Sequence, residues 1–181
     1  MSKVLAVVGG QFGSEGKGVI VAHVAHRYEI HVRVGGPNAG HSFFHKNKRW
    51  AMQAIPCGWV NPNAELFIAS GGLIHLDTLR RELKAVYESD KTIVDRLYVS
   101  PKAGVLSDEH HKTEGGIEGE MHKRIGSTGE GVGTARIARI TRQSFKHALD
   151  LASEELLPGV KLEKLLIKDP IRWLPTQVAA G

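Results

Sequence analysis

A single cysteine, Cys57, occurs in the chain. It can close no internal disulfide, and no Cys/His spacing suited to zinc exists, so a disulfide scaffold is excluded and a reducing compartment is expected. No apolar stretch approaches the ~20 residues that span a bilayer. Met1 leads straight into a short apolar run without the layout of a secretory signal, so a cytoplasmic location and no membrane partner are expected. Long Lys/Arg runs and basic stripes interleaved with aromatics are also missing, which argues against nucleic acid as a partner. Aromatic residues make up 6% of the sequence. Trp50, Trp59 and Trp173 are read as packing residues. No internal repeat or low-complexity segment is found.

Glycine is abundant: 21 of 181 residues, about 12% against a usual ~7%. Many of these glycines fall in short clusters, the mark of tight backbone loops. The formal charge is +5 and the isoelectric point about 9.4. With no nucleic-acid signature, phosphate-bearing small molecules are the favoured ligands. With 41% apolar and 24% charged residues, the composition is that of a globular domain.

Val4 to Val8 reads as a buried strand that ends at Gly9-Gly10. Gly16 to Tyr28 reads as a helix, and residues 30–34, 65–69 and 97–99 as three more strands. Leu76, Leu79, Leu83 and Val86 recur at three- and four-residue steps and predict an amphipathic helix. Strands alternating with helices predict an α/β fold with a mainly parallel central sheet, flanking helices and a phosphate-binding turn after the first strand. Ligands are then expected at the carboxyl ends of the strands. Residues 104–134 read as a polar helix or loop excursion. Residues 135–156 read as helical, with Ile137, Ile140, Phe145, Leu149 and Ala152 among the apolar positions. Lys161 to Lys168 reads as an amphipathic surface segment. Asp169-Pro170 and Leu174-Pro175 look like mid-domain turns. Residues 1–181 are therefore expected to be part of a single larger domain.

Three segments carry chemistry. In Gly9-Gly10-Gln11-Phe12-Gly13-Ser14-Glu15-Gly16-Lys17-Gly18, a glycine loop with a lysine opens a helix, an arrangement that holds phosphate on backbone N–H groups. It is not a Walker A motif, because Gly18 follows the lysine where Ser or Thr is needed. A plain glycine-rich turn with an exposed lysine is the other reading. Gly35-Gly36-Pro37-Asn38-Ala39-Gly40-His41-Ser42 follows the second strand. Its small residues permit close approach of a ligand, and His41 can serve as a general acid or remain simply solvated. Ile125 to Gly133 alternates glycines with Ser127 and Thr128. Arg136, Arg139 and Arg142 then follow at three-residue steps, either as an anion site or as a solvated basic face. His110-His111 has no partner at ligand spacing, so a metal site there is not expected.

These segments, together and in order, resemble the signatures of adenylosuccinate synthetases. Gln11 to Gly18 resembles QWGDEGKG. Gly36 to Ser42 resembles the second signature, where Asn-Ala-Gly-His-Thr is usual. Ile125 to Gly133 resembles IGTTGRGIG, and Arg142 falls where the family has an arginine donated to a neighbouring subunit. The resemblance implies a ligase that joins L-aspartate to C6 of a purine 5′-monophosphate. A nucleoside triphosphate, ATP or GTP, is hydrolysed by way of a 6-phosphoryl intermediate. It implies that Lys17 and the amides of Gly13, Ser14, Glu15, Gly16 and Gly18 hold phosphates, together with Gly40, His41 and Ser42. His41 would be the general acid. The backbone of Gly40, with Ser14, would hold Mg²⁺. Asn38, Ala39, Ser127 and Thr128 would position the monophosphate, and Arg142 would reach it across a homodimer interface.

One position departs from the pattern. Where the family has the carboxylate that removes the N1 proton and ligates Mg²⁺, this chain has Ser14, which is far too weak a base for that role. Shortening Asp to Ser leaves room for the 2-amino group of a guanine nucleotide. This resembles the phage-type branch, 2-aminoadenylosuccinate synthetases, which use dGMP on the route to diaminopurine deoxynucleotides. The expectation is therefore dGMP, in a host cytoplasm if phage-encoded. IMP is the alternative substrate, and a non-catalytic nucleotide-binding relative is a further alternative.

Overall fold

Parallel strands cannot be joined by tight turns, so the strands of the central sheet are joined by longer crossovers. The computed structural model describes residues 3–11, 15–115 and 118–167. Its central element is a three-stranded parallel sheet, in the order β1 (Ile30–Arg33), β4 (Glu65–Ile68), β6 (Leu97–Val99). The expected α/β architecture is present. Helix α1 (Lys17–Val24) precedes β1. Between β1 and β4 lies an antiparallel hairpin of β2 (His41–His45) and β3 (Lys48–Met52).

Helix α2 (Leu76–Ser89) and the single turn α3 (Ile93–Arg96) cross from β4 toward β6. Leu79, Leu83 and Val86 are fully buried, each contributing about 1.5–3 kcal/mol of apolar burial. They pack in one core with Leu66, Ile68 and Val99 of the sheet. Trp50 and Trp59 are buried edge to face, with ring centroids 4.6 Å apart, in keeping with a packing role. Trp173 lies outside the described residues.

Beyond β6, a two-stranded parallel pair joins β5 (Leu73–Ile74) and β7 (Gly104–Val105). The excursion that follows is helical: α4 (Asp108–Glu114), α5 (Glu120–Ile125) and α6 (Val132–Thr141). His110 closes a capping box with Ser107 at the start of α4, which gives the His-His pair a local structural use. Residues 161–167 are amphipathic, with Leu162, Leu165 and Ile167 turned into the core, and Lys168 lies outside the described residues.

Two expectations are corrected. Val4 to Val8 forms no strand among the described residues, and Val4 and Val8 are 82% and 81% exposed. An apolar run becomes a strand only where a neighbouring edge accepts its hydrogen bonds. Here the run passes α1 and β1 without pairing and walls a cavity of about 780 Å³. Residues 135–156 are not one helix. Helix α6 stops where Arg142 adopts φ 56°, a left-handed cap. A short 3₁₀ turn, Ala148–Leu151, and the start of a strand, Glu155–Leu157, follow. Ile140 and Leu149 are exposed, so the apolar positions do not share one buried face. The proposed turns and end after Ile167 lie outside the described residues.

Candidate nucleotide site

The glycine segments converge at the carboxyl end of the parallel sheet, as the topology requires. Gly16 caps α1 with φ 73°, in the left-handed region that glycine enters without penalty. Lys17 is the first residue of the helix. Its ammonium lies 2.6 Å from a Glu15 carboxylate oxygen, and the other oxygen accepts the Gln11 N–H at 2.6 Å. The Lys17 hydrogen bond is the main reason the Glu15 carboxyl is held below its ordinary range. Phe12, Gly13 and Ser14 lie outside the described residues.

The first two motifs meet at Gly18 and His41. A Cβ added at Gly18 would stand 2.7 Å from the His41 Cβ, so only glycine allows the helix this close. Burial, then the Arg33 and Lys17 charges, lower the His41 pKa to about 4. The imidazole is neutral at pH 7. The second and third motifs meet at Gly36, where a Cβ would stand 3.3 Å from both γ-methyls of Val132. Three segments separated by up to a hundred residues are thus one site.

Within it, the proposed binding residues divide. Asn38, Gly40, Ser42 and Thr128 are exposed and Ala39 half-buried. Ser127 is turned inward: its hydroxyl donates to the buried Glu114 carboxylate and accepts the Gly129 N–H at 3.2 Å. Glu114 also accepts the Thr134 N–H at 3.2 Å. Ser127 therefore braces the loop in this structure. The three arginines do not converge. Arg139 donates to the Ser70 carbonyl at 2.8 Å and the Lys102 carbonyl at 3.4 Å, which fastens α6 to the ends of β4 and β6. Arg136 and Arg142 are exposed, and the Arg142 side chain makes no hydrogen bond or ion pair among the described residues.

Sequence reasoning missed the supports. Arg33, at the end of β1, donates to the Gly36 carbonyl at 3.3 Å and the Ala39 carbonyl at 2.9 Å. Gln53 donates to the Pro37 carbonyl at 2.7 Å. Glu82 accepts backbone N–H groups of Gln53, Ala54 and Ile55 at 2.5, 3.0 and 2.9 Å, and burial still pushes its carboxyl up. Strand alternation gives no signal for Arg33, since by composition it would turn Val32 inward and Arg33 outward, the reverse of what is seen. The Cys57 thiol is buried and pushed up to about 12 by that burial, so it is inert.

Gly40, expected to offer its carbonyl to Mg²⁺, is exposed. Among the described residues no group of three or more His, Cys, Asp or Glu is placed to hold a metal. Mg²⁺ commonly takes few protein oxygens and completes its shell with phosphate and water, so this donor set suits it only with a phosphate ligand. Among the described residues no helix is long and apolar enough to cross a membrane.

Comparison with known proteins agrees with the geometry. The chain is 35% identical over 149 residues to the chloroplastic adenylosuccinate synthetase of Chlamydomonas reinhardtii, covering 80% of this chain and 32% of that protein. It is 34% identical over 164 residues to adenylosuccinate synthetase 1 of Methanosarcina acetivorans, covering 90% and 38%. The fully ligated synthetase of Plasmodium falciparum superimposes with a TM-score of 0.70 at 32% identity, over 81% of this chain and 34% of that one. A cyanophage S-2L succinoaminodeoxyadenylate synthetase, bound to dGMP and dATP, superimposes with a TM-score of 0.66 at 25% identity, over 86% and 42%. The chain spans about a third of the length of the curated relatives it matches. The adenylosuccinate synthetase family profile matches residues 6–169, which include all three converging loops, and the chain belongs to that family.

Proposed function

We propose that this chain forms the phosphate- and monophosphate-binding part of a ligase that joins L-aspartate to C6 of a purine 5′-monophosphate at the expense of a nucleoside triphosphate. The observation that carries this is the convergence of the three loops, with Gly18 against His41 and Gly36 against Val132. A purine O6 is a poor leaving group. Transfer of the γ-phosphoryl to O6, with loss of the N1 proton, makes it a good one. The α-amine of aspartate then attacks C6, phosphate departs, and the amine loses a proton.

In this reading Lys17 and the N-terminal amides of α1 hold the triphosphate, which displaces the Glu15 carboxylate from Lys17. His41 is neutral in the free protein because it is buried beside two cations. Entry of phosphate offsets those charges, and His41 can then take a proton and donate to the transferring oxygen. Asn38 and Thr128 contact the monophosphate, and Arg142 reaches it from a second copy of the chain. Mg²⁺ would be held by the Gly40 carbonyl and phosphate oxygens, and when bound it would neutralise phosphate charge. Ser14, proposed as a second ligand and as a substrate contact, lies outside the described residues. The triphosphate is ATP or GTP.

The curated relatives are named adenylosuccinate synthetases, which favours IMP as the monophosphate. One specific observation supports a second reading, dGMP. Ser14 replaces the family's aspartate, and the cyanophage synthetase of similar fold is bound to dGMP. The test is kcat/KM of the full-length protein for IMP, dIMP and dGMP, with aspartate, Mg²⁺ and either triphosphate. The expected result is turnover of IMP; a preference for dGMP selects the second reading. Ser14→Asp should then move the ratio toward dIMP. Loss of a buried hydrogen bond to the 2-amino group is worth roughly 1–3 kcal/mol, about five- to a hundred-fold. Triphosphate binding without turnover of any monophosphate would instead mark a non-catalytic relative.

A further inference from the structure

Strand β1 places its residues in an unexpected phase. His31 and Arg33 face inward and are buried, while Val32 and Val34 face outward and are exposed. A β-branched residue at position 33 would fill the inward site at lower electrostatic cost, because a buried guanidinium that lacks a close ion pair is expensive. Arg33 is 9% exposed, makes no ion pair among the described residues, and its Nε is buried with no hydrogen-bond partner. Its other contacts are the two loop carbonyls, of Gly36 and Ala39. Those residues flank Asn38 and lead directly into His41. Arg33 also lines the cavity shared with Lys17 and His41.

We propose that Arg33 is a positioning residue for the nucleotide site. One guanidinium nitrogen, Nη2, donates to both carbonyls and fixes the loop from Gly36 to Ala39 so that Asn38 and His41 address one ligand. The buried Glu82 carboxylate offsets part of the Arg33 charge without forming an ion pair, and the remainder is held in place for an anion that binds beside it. The ligand's own phosphate then supplies the rest of the countercharge, an arrangement of fixed charge that needs no reorganisation when the anion arrives. The inference rests on the functional reading above as far as the phosphate is concerned, and the loop contacts stand independently of it.

The test uses Arg33→Met, close in volume and uncharged, and Arg33→Lys, which keeps a charged donor nitrogen on a shorter side chain, both in the full-length protein. Arg33→Met is expected to keep the parent melting temperature or raise it, since removing an unpaired buried charge relieves a cost. It should lower kcat/KM for the monophosphate at least tenfold, with kcat falling as well as KM rising. Arg33→Lys should recover part of that loss. A Met variant within twofold of the parent would overturn the proposal. So would a joint collapse of activity and melting temperature that Lys does not relieve, because that is the pattern of a purely structural residue. If the parent turns over no purine monophosphate, the functional reading fails, and calorimetric titration with inorganic tripolyphosphate decides for Arg33. At least tenfold weaker binding by the Met variant supports the role; equal binding, or none by the parent, overturns it.

Discussion

Single residues in this site differ in what they contribute to folding and to binding. The His41 ring makes no hydrogen bond among the described residues, and its neighbours on the site side are cations. Replacing it with Asn should therefore leave the melting temperature near that of the parent while removing most turnover; a large fall in stability instead would mean that it is a core residue. Lys17 differs, because its partner Glu15 is local and solvated. Lys17→Ala should fold normally and weaken triphosphate binding or turnover tenfold or more, as loss of a charge-assisted contact of ~1.5–3 kcal/mol would. The pH dependence of stability follows from His31 together with His41. Burial lowers the pKa of His31 below 6.5, and its Nε2 stands 3.1 Å from the Ala25 carbonyl. Both histidines thus have folded values below their unfolded ones. Between those values the unfolded chain binds more protons, so the contribution of the two histidines falls as pH drops from about 6.5 toward 4 and is fully present above 6.5; the raised carboxyl of Glu82 acts in the opposite sense and offsets part of that fall. Urea midpoints at pH 7.5, 6 and 4.5 should decline in that order, and less steeply in His31→Gln.

Elements were legible where one face is buried along their whole length. Helix α2 follows its leucine spacing because Leu79, Leu83 and Val86 all reach the core. The strands β1, β4 and β6 fall where the short β-branched and aromatic runs placed them. The β2–β3 hairpin was hidden for a local reason. Its first residues, His41 and Ser42, belong to the glycine motif and read as loop, and its turn is Lys46-Asn47 rather than the usual Asn-Gly. Both turn residues have positive φ, 49° and 60°, as a type I′ turn requires. Lys46→Asn with Asn47→Gly should therefore stabilise the protein by about 0.5–1 kcal/mol, seen as a melting temperature higher by a few degrees. No change would mean that the turn is not held in this form. In the third motif, Gly131 opens α6 at φ 75°, and a Cβ there would stand 2.7 Å from the His111 nitrogen. Gly131→Ala should cost about 1–3 kcal/mol and loosen the loop that Glu114 braces. The glycine positions could be read from the sequence, but Arg33, Glu82 and Glu114 could not. Each is a charged residue whose role depends on a backbone group or hydroxyl brought near by the fold, up to 29 positions away for Glu82.

At the scale of the whole molecule, the surface is uneven. Val4, Leu5, Val8, Val19, Ile20, Val32 and Val34 are all exposed, and several border the cavity between the N-terminal segment, α1 and β1. Scattered apolar side chains are ordinary, but Val4, Leu5, Val32 and Val34 line one cavity together, which marks a surface suited to being covered. The same region explains why Val4 to Val8 was expected to be a buried strand: its composition is that of a strand covered on both faces, and no described residue covers it. The chain also spans about a third of the length of its curated relatives. A polypeptide of these 181 residues should therefore bind an anilinonaphthalene dye strongly at neutral pH, with the fluorescence gain that marks accessible apolar surface. Val8→Lys combined with Val34→Lys should lower that signal without lowering the melting temperature, because both side chains are already in water in the folded state. A longer protein in which further residues pack against β1 should bind little dye, and there the same double substitution should destabilise. Each buried valine would lose its transfer free energy, about 1.5–3 kcal/mol, and bury a charge in addition. Weak dye binding by the 181-residue polypeptide, with destabilisation by the double substitution, would show that Val4 to Val8 is covered after all and that its strand-like composition had described it correctly.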